Sequence, residues 1–151
     1  NTKKEYVTKN MIGAAYMSEK KKFLKIGMFD ENFFFYWEDI DLSNRINKSK
    51  YNIKINLDLK AIHQSGTSSK KNFYSIYLRN SNFKFGEYFF HYKNKKLKFI
   101  KMLREPLSFF LYLIFNFLTL NIKRGVVYFC FLIGIFKFYF FIFKKILRNN
   151  G

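Results

Sequence analysis

The stretch GMFDENFFFYWEDIDLSNRI, residues 27–46, decides how this chain is interpreted. Residues 30–41 within it hold five of the ten acidic residues of the chain and no base. The whole chain of 151 residues carries 28 Lys and Arg and a formal charge of +18. Because a solvated surface mixes both signs of charge, this acidic island indicates a site at which chemistry or a cation requires carboxylates.

The composition around the island excludes several classes of protein. Hydrophobic residues make up 49% of the chain and aromatic residues 23%, enough to bury a core and too many for intrinsic disorder. The single cysteine, Cys130, excludes an internal disulfide and a cysteine-based metal cluster. The positive charge alone identifies no partner. The sequence lacks the motifs of RNA-recognition domains, zinc fingers and basic zippers, so we do not expect nucleic acid to be a binding partner.

Several local patterns predict secondary structure. Residues 6–17 predict a strand in which Gly13 and Ala14 allow close approach to the backbone. A short helix over residues 18–25 follows, with Ser18 as its N-cap and Gly27 as its stop. A helix of about ten residues begins near Glu38, where acids suit the positive end of the helix dipole.

The second part of the chain continues this pattern. Residues 51–63 alternate apolar and polar side chains, which predicts a half-buried strand. Residues 73–92 predict a helix capped by Ser68 or Ser69. Together these elements predict an α/β fold class, although a sheet of two strands would be marginal alone.

The last third of the chain is basic and apolar. After the basic run 93–104, residues 107–120 and 126–143 are almost entirely apolar. We expect two helices that lie in or dip into the membrane interface, with a spanning second helix as the alternative. A buried core helix is the other alternative, but the rest of so short a chain offers little structure to cover two such helices.

The acidic island contains the candidate catalytic residues. Glu38 and Asp39 are adjacent carboxylates that follow the aromatic run ending at Trp37, and such a pair suits a general base and a ligand for an acceptor hydroxyl. Asp41 and Arg45 have the spacing of an ordinary surface ion pair. His63 ends the alternating segment, where it is either a structural residue or a ligand of a metal or substrate.

Three stretches together resemble the second half of the catalytic domain of family 2 glycosyltransferases, especially the rhamnosyltransferase-like members that build bacterial surface polysaccharides. They are GAAYM (13–17), residues 27–46 and AIHQSGTSS (61–69), and YLRN (77–80) extends the match, which covers roughly residues 6–85. Met28 departs from the pattern, since the family has a small residue or glycine there.

The resemblance implies a fold, an activity and a set of site residues. The fold would be the C-terminal portion of a GT-A-type domain, a few strands plus helices. The activity would be inverting transfer of a hexosyl or rhamnosyl group from a nucleotide sugar to a lipid-linked or glycan acceptor. Asp39 would be the base, Glu38 would position the acceptor, and His63 would contact a divalent cation or the donor diphosphate. Residues expected on the acceptor side are Trp37, Gly13, Ala14, Asp41 and Arg45.

The family binds the nucleotide and a cation, Mg or Mn, through an N-terminal half that ends in an Asp-x-Asp motif, and the sequence contains no such half. We therefore expect a chain that begins inside a longer protein and is inactive alone. Residues 1–92 would be the acceptor-side half, and residues 93–151 a membrane-associated tail at the cytoplasmic face of the cell membrane. The alternative is a truncated, non-catalytic membrane-binding module or pseudoenzyme.

Overall fold

The computed structural model of the chain describes residues 4–63 and 72–149, which fall into two compact units, within Asn1–Ser69 and Lys70–Gly151. The first unit contains β1 (Glu5–Thr8), α1 (Lys20–Ile26), α2 (Glu38–Asn47) and β2 (Ile53–Asn56). The second unit contains α3 (Phe73–Lys93), α4 (Phe99–Leu118) and α5 (Ile122–Asn149). The functional boundary expected between residues 92 and 93 stays a prediction.

The expected α/β fold, a portion of a GT-A-type domain, is wrong. The described residues form five helices and one antiparallel sheet of two strands, in which Tyr6 lies opposite Ile55. The alternating segment forms a strand only to Asn56, whose side-chain Oδ1 accepts a hydrogen bond from the Asp58 backbone N–H. This local bond turns the chain out of the ladder. Leu59, which follows the strand, is 71% exposed. Among the described residues, no other helix or sheet covers the apolar face of this part of the alternating segment.

The strand expected over residues 6–17 is likewise limited to Glu5–Thr8. The helix that follows runs over Lys20–Ile26, and the residue at its N-cap is Glu19 rather than Ser18. Gly27 ends this helix as predicted, with a φ of 89° that favours glycine, and its N–H binds the Leu24 carbonyl. The helix predicted to begin near Glu38 is confirmed as α2, with ten residues.

The helix predicted over residues 73–92 is confirmed as α3. Its N-cap is Asn72, whose side chain accepts a hydrogen bond from the Ser75 backbone N–H at 2.8 Å. The Ser75 hydroxyl accepts in turn from the Asn72 N–H, which completes a capping box. The caps expected at Ser68 and Ser69 lie outside the described residues.

Helix α5 packs against both α3 and α4. Tyr88, Cys130, Ile135 and Phe138 are fully buried between them. Gly134 permits the closest approach, since a Cβ atom there would lie 2.3 Å from the Ser81 carbonyl oxygen on α3. Only a residue without a side chain allows this contact.

Helix α4 begins at Phe99 and therefore includes much of the basic run, with Pro106 inside it. A proline has no N–H, so it cannot bind the carbonyl of Met102 four residues earlier. The hydroxyl of Tyr139 on α5 donates a hydrogen bond to that carbonyl instead. The contact between the two helices thus satisfies the group that Pro106 leaves open.

Four charged side chains pair between α3 and α4, and we call them the ion cluster: Lys84, Glu87, Lys101 and Glu105. Lys84 Nζ lies 2.7 Å from Glu87 Oε2 and 2.9 Å from Glu105 Oε1, and Lys101 Nζ lies 2.6 Å from Glu87 Oε1. The Tyr88 hydroxyl donates to Glu105 Oε2 at 2.8 Å. Two positive and two negative charges therefore cancel inside the unit.

Candidate functional site

The start of α2 brings the predicted catalytic carboxylates into its first turn, where Glu38, Asp39 and Asp41 all lie. The two residues before the helix are in the left-handed region, Tyr36 with a φ of 69° and Trp37 with a φ of 73°. A left-handed residue with a side chain costs about 1–2 kcal/mol. Met28, Lys95 and Leu120 are left-handed as well, so this strain accompanies the aromatic residues before α2 but does not by itself mark a site.

One face of α2 binds the irregular segment between β1 and α1 through three polar side chains, Asp39, Ser43 and Asn47. Asp39 Oδ2 accepts from the Gly13 N–H at 3.1 Å, and Ser43 Oγ accepts from the Met11 N–H at 3.0 Å. The Asn47 amide donates to the Lys9 carbonyl at 2.6 Å. We call this set the α2 clamp. Its spacing of four residues is visible in the sequence, but sequence reasoning missed it.

The clamp places Gly13 against the carboxylate of Asp39, two residues that are far apart in sequence. A Cβ atom at residue 13 would lie 3.5 Å from Asp39 Oδ2, in van der Waals contact with the carboxylate. The other oxygen of Asp39 accepts from the Ile40 N–H at 2.8 Å. An ionised carboxylate accepts about four hydrogen bonds, which leaves room for the hydroxyl of a ligand. Ala14 is exposed beside this segment.

Glu38 is partly buried at the same helix start. Its Oε2 atom is buried and has no hydrogen-bond partner among the described residues. An unpaired buried carboxylate oxygen costs free energy, so such an oxygen suits a hydroxyl donor supplied by a ligand. The expected role of Glu38 in positioning the acceptor stays a prediction, as does that of Trp37.

The Asp41–Arg45 pair is buried rather than on the surface as expected. Arg45 Nε lies 2.8 Å from Asp41 Oδ2, and Asp41 is only 1% exposed. The other nitrogens of Arg45 donate to the carbonyls of Ile26, at 2.6 Å, and Met28. These contacts fasten the end of α1 to α2 and favour a structural role. A substrate contact by either residue stays a prediction.

His63, the expected metal ligand, is exposed and is the last described residue before residue 72. Across residues 4–63 and 72–149, no three His, Cys, Asp or Glu side chains come together as a metal site would require. A contact of His63 with a divalent cation stays a prediction.

An open depression of about 460 Å³ lies at the other end of α2, where Lys25, Arg45, Lys48 and Lys50 contribute bases. Lys48 lies nine positions after Asp39, which is about 14 Å along the helix axis. Bases at a helix C-terminus suit the negative end of its dipole. This depression is therefore separate from the carboxylate site.

Comparison of the chain with family models, with curated proteins and with solved structures finds no match.

Proposed function

We propose that this chain carries the acceptor side of a membrane-associated, inverting glycosyltransferase in which Asp39 is the general base. The observation that supports it is the hydrogen bond from the Gly13 N–H to Asp39 Oδ2 at 3.1 Å. The resemblance to family 2 glycosyltransferases assigns both residues to the acceptor site. Gly13 and Asp39 are 26 residues apart in sequence, so the contact does not come from local chain geometry.

In the proposed reaction Asp39 takes the proton of an acceptor hydroxyl as that oxygen attacks the anomeric carbon of a nucleotide sugar. The bond from this carbon to the diphosphate breaks on the opposite face, so the configuration inverts. Glu38 Oε2 accepts a hydrogen bond from a second hydroxyl of the lipid-linked or glycan acceptor. The resemblance assigns the donor and the Mg or Mn ion mainly to another part of the enzyme.

The membrane part of the proposal is supported by α5. This helix, Ile122–Asn149, is long and apolar enough to cross a membrane by length and composition. Only 28% of its most apolar window is buried, whereas the core helix of a soluble protein is mostly buried. We place the chain at the cytoplasmic face of the cell membrane, where nucleotide sugars are available, as part of cell-surface polysaccharide synthesis.

The substitution Asp39→Asn tests the base. Asparagine keeps an oxygen for the Gly13 N–H but cannot take a proton, so we expect transfer to fall by at least about a hundredfold, the usual contribution of a general base. Membranes from cells that produce the complete enzyme of which this chain would be the acceptor side are incubated with a panel of labelled nucleotide sugars. The label is then measured in lipid and glycan fractions.

Ser43→Ala and Asn47→Ala are the matched controls, because they weaken the same clamp without removing a base. We expect both to retain most of the transfer activity. If either control loses as much activity as Asp39→Asn, transfer depends on the clamp as a whole, and the loss in Asp39→Asn no longer identifies a base. Near-normal transfer by Asp39→Asn excludes it as the base.

A second candidate function is a non-catalytic membrane-binding module, and the exposed apolar surface of α4 and α5 favours it. Such a module binds vesicles of anionic phospholipid but supports no sugar transfer from any nucleotide sugar. The same preparations distinguish the two candidates, since both the bound protein and the transferred label are measured.

A further inference from the structure

The second half of α4 is apolar on nearly every exposed side. Its large apolar side chains are between 41% and 78% exposed: Leu107, Phe110, Leu111, Ile114, Phe115 and Leu118. A helix that lies half in water keeps a polar face for the solvent. This part of α4 keeps none, so its surroundings are apolar on most sides.

Helix α5 continues this surface with a stripe of exposed residues spaced three, four or seven apart. The stripe is Phe129, Phe136, Phe140, Phe143 and Leu147, and each is at least 45% exposed. Residues at this spacing share one helix face. Together with the second half of α4 they form what we call the outer face of the unit.

The ion cluster takes two of the three charges in the first half of α4 away from its exposed surface, and Arg104 remains exposed there. Lys101 and Glu105 turn inward and pair with Glu87 and Lys84. Ile100 and Leu103 are left exposed on the same turns, at 68% and 60%. Charged groups within apolar surroundings are tolerated when they face the interior and pair with one another.

The side of the unit formed by α3 carries an exposed charge next to exposed aromatic residues. Arg79 is exposed, and Phe83 lies on the same face four residues later. Lys137 of α5 turns toward α3, where its Nζ lies 3.3 Å from Ser81 Oγ and 4.7 Å from the centre of the Tyr77 ring. Water rather than an apolar phase suits this side.

Basic residues gather at one end of the unit. Gly134 packs on Ser81, and Lys145 Nζ lies 5.6 Å from the Tyr92 ring, so α3 and α5 run parallel and end together. The bases at this end are Lys93, Lys95, Lys96, Lys98, Lys144, Lys145 and Arg148. Attraction to an anionic headgroup layer is worth about 1 kcal/mol for each such base. A second copy of the chain would bring like charge to this end and repel it.

We infer that the outer face of α4 and α5 contacts the acyl chains of an anionic phospholipid bilayer, while the Arg79 face of α3 points away from them. The apolar surface, the inward ion cluster and the basic end all fit this one partner. The inference specifies the membrane contact within the proposed function. The inference does not require sugar transfer. The transfer assay therefore tests the proposed function, and the labelling experiment tests the membrane contact.

Nitroxide labels on single cysteines test the inference in the full chain. Cys130→Ala removes the native cysteine, and Phe110→Cys, Phe136→Cys or Phe83→Cys then supplies one labelling site. The labelled chains are reconstituted in vesicles of phosphatidylglycerol and phosphatidylethanolamine. Collision rates of the label with oxygen, which concentrates in acyl chains, and with a water-soluble nickel chelate are measured by electron paramagnetic resonance.

We expect the ratio of oxygen to nickel collisions to be several-fold higher at residues 110 and 136 than at residue 83. Leu111→Cys and Phe140→Cys repeat the test at neighbouring positions if either first variant fails to fold, as judged by its helical circular dichroism. Equal ratios on both faces, a higher ratio at residue 83, or failure of the chain to float with the vesicles would each overturn the inference.

Discussion

Arg45 shows how one side chain sets local structure in the first unit. Its guanidinium binds the buried carboxylate of Asp41 and the carbonyls of Ile26 and Met28 at the same time. A planar group with five donors can do this, and a lysine ammonium cannot reproduce its geometry. The pair therefore holds together parts of the chain that are distant in sequence.

We predict that Arg45→Lys lowers the free energy of unfolding of the first unit by about 1–3 kcal/mol, because at least one buried acceptor loses its partner. Urea titration followed by the fluorescence of Trp37, the one tryptophan of the chain, measures the change. Arg79→Lys, a swap at an exposed position of the second unit, is the control. Equal midpoints for Arg45→Lys and the control would contradict the prediction.

The sequence predicted part of this site. The spacing of Asp41 and Arg45 predicted their pairing, and the resemblance assigned Gly13 to the acceptor side, where Asp39 would be the base. The burial of the pair and its two carbonyl partners was not predictable. Every residue has a backbone carbonyl, so the sequence does not show which carbonyls a side chain binds. For the same reason the segment bound by Ser43 and Asn47 was not expected.

At the scale of elements, α4 and α5 depend on each other through Pro106 and Tyr139. The hydroxyl of Tyr139 binds the carbonyl of Met102 that a helix residue at position 106 would otherwise bind. Removal of the hydroxyl leaves a carbonyl without a partner only as long as the proline is present. The two residues are therefore energetically coupled.

We predict that Tyr139→Phe lowers the stability of the second unit by about 1–2 kcal/mol, and by much less when Pro106→Ala is also present. The four proteins compared are the native chain, the two single variants and the double variant. Their thermal unfolding in a non-ionic detergent, followed by circular dichroism, gives the coupling energy between residues 106 and 139. Additive effects would show that Tyr139 does not replace the missing N–H.

Helices were more predictable than strands in this chain. α2 and α3 follow from an acidic first turn and a long helical pattern, which are local signals. The alternation of residues 51–63 is local too, but a strand needs neighbours, and in the described residues only Glu5–Thr8 pairs with it. The sheet is therefore shorter than its sequence pattern.

At the scale of the whole molecule, acids are scarce and the ion cluster uses two of the ten. Burial alone would raise the pKa of Glu87, but hydrogen bonds from Lys101 and Lys84 outweigh it and hold the pKa below its ordinary value of 4.5. A carboxyl whose pKa is lower in the folded state stabilises the fold above its unfolded pKa. That contribution is lost as the pH falls through the lowered value.

We predict that the melting temperature of the full chain in detergent falls as the pH drops below about 4.5, and that Glu87→Gln reduces this acid-dependent loss. The variant is also less stable at neutral pH, because Lys101 and Lys84 lose a charged partner. Asp58→Asn, which removes an exposed partner of Lys4, is the control. The same acid dependence in Glu87→Gln and the native chain would contradict the prediction.

The burial of two bases has a consequence for proteolysis. Trypsin cleaves after Lys or Arg only when the side chain can extend into the specificity pocket of the protease. The side chains of Arg45 and Lys84 are 21% and 7% exposed, both are ion-paired, and both lie in helices. The chain has 28 potential cleavage sites, and these two are protected from trypsin while the chain is folded. Cleavage after Arg45 therefore reports unfolding of the first unit, and cleavage after Lys84 reports unfolding of the second.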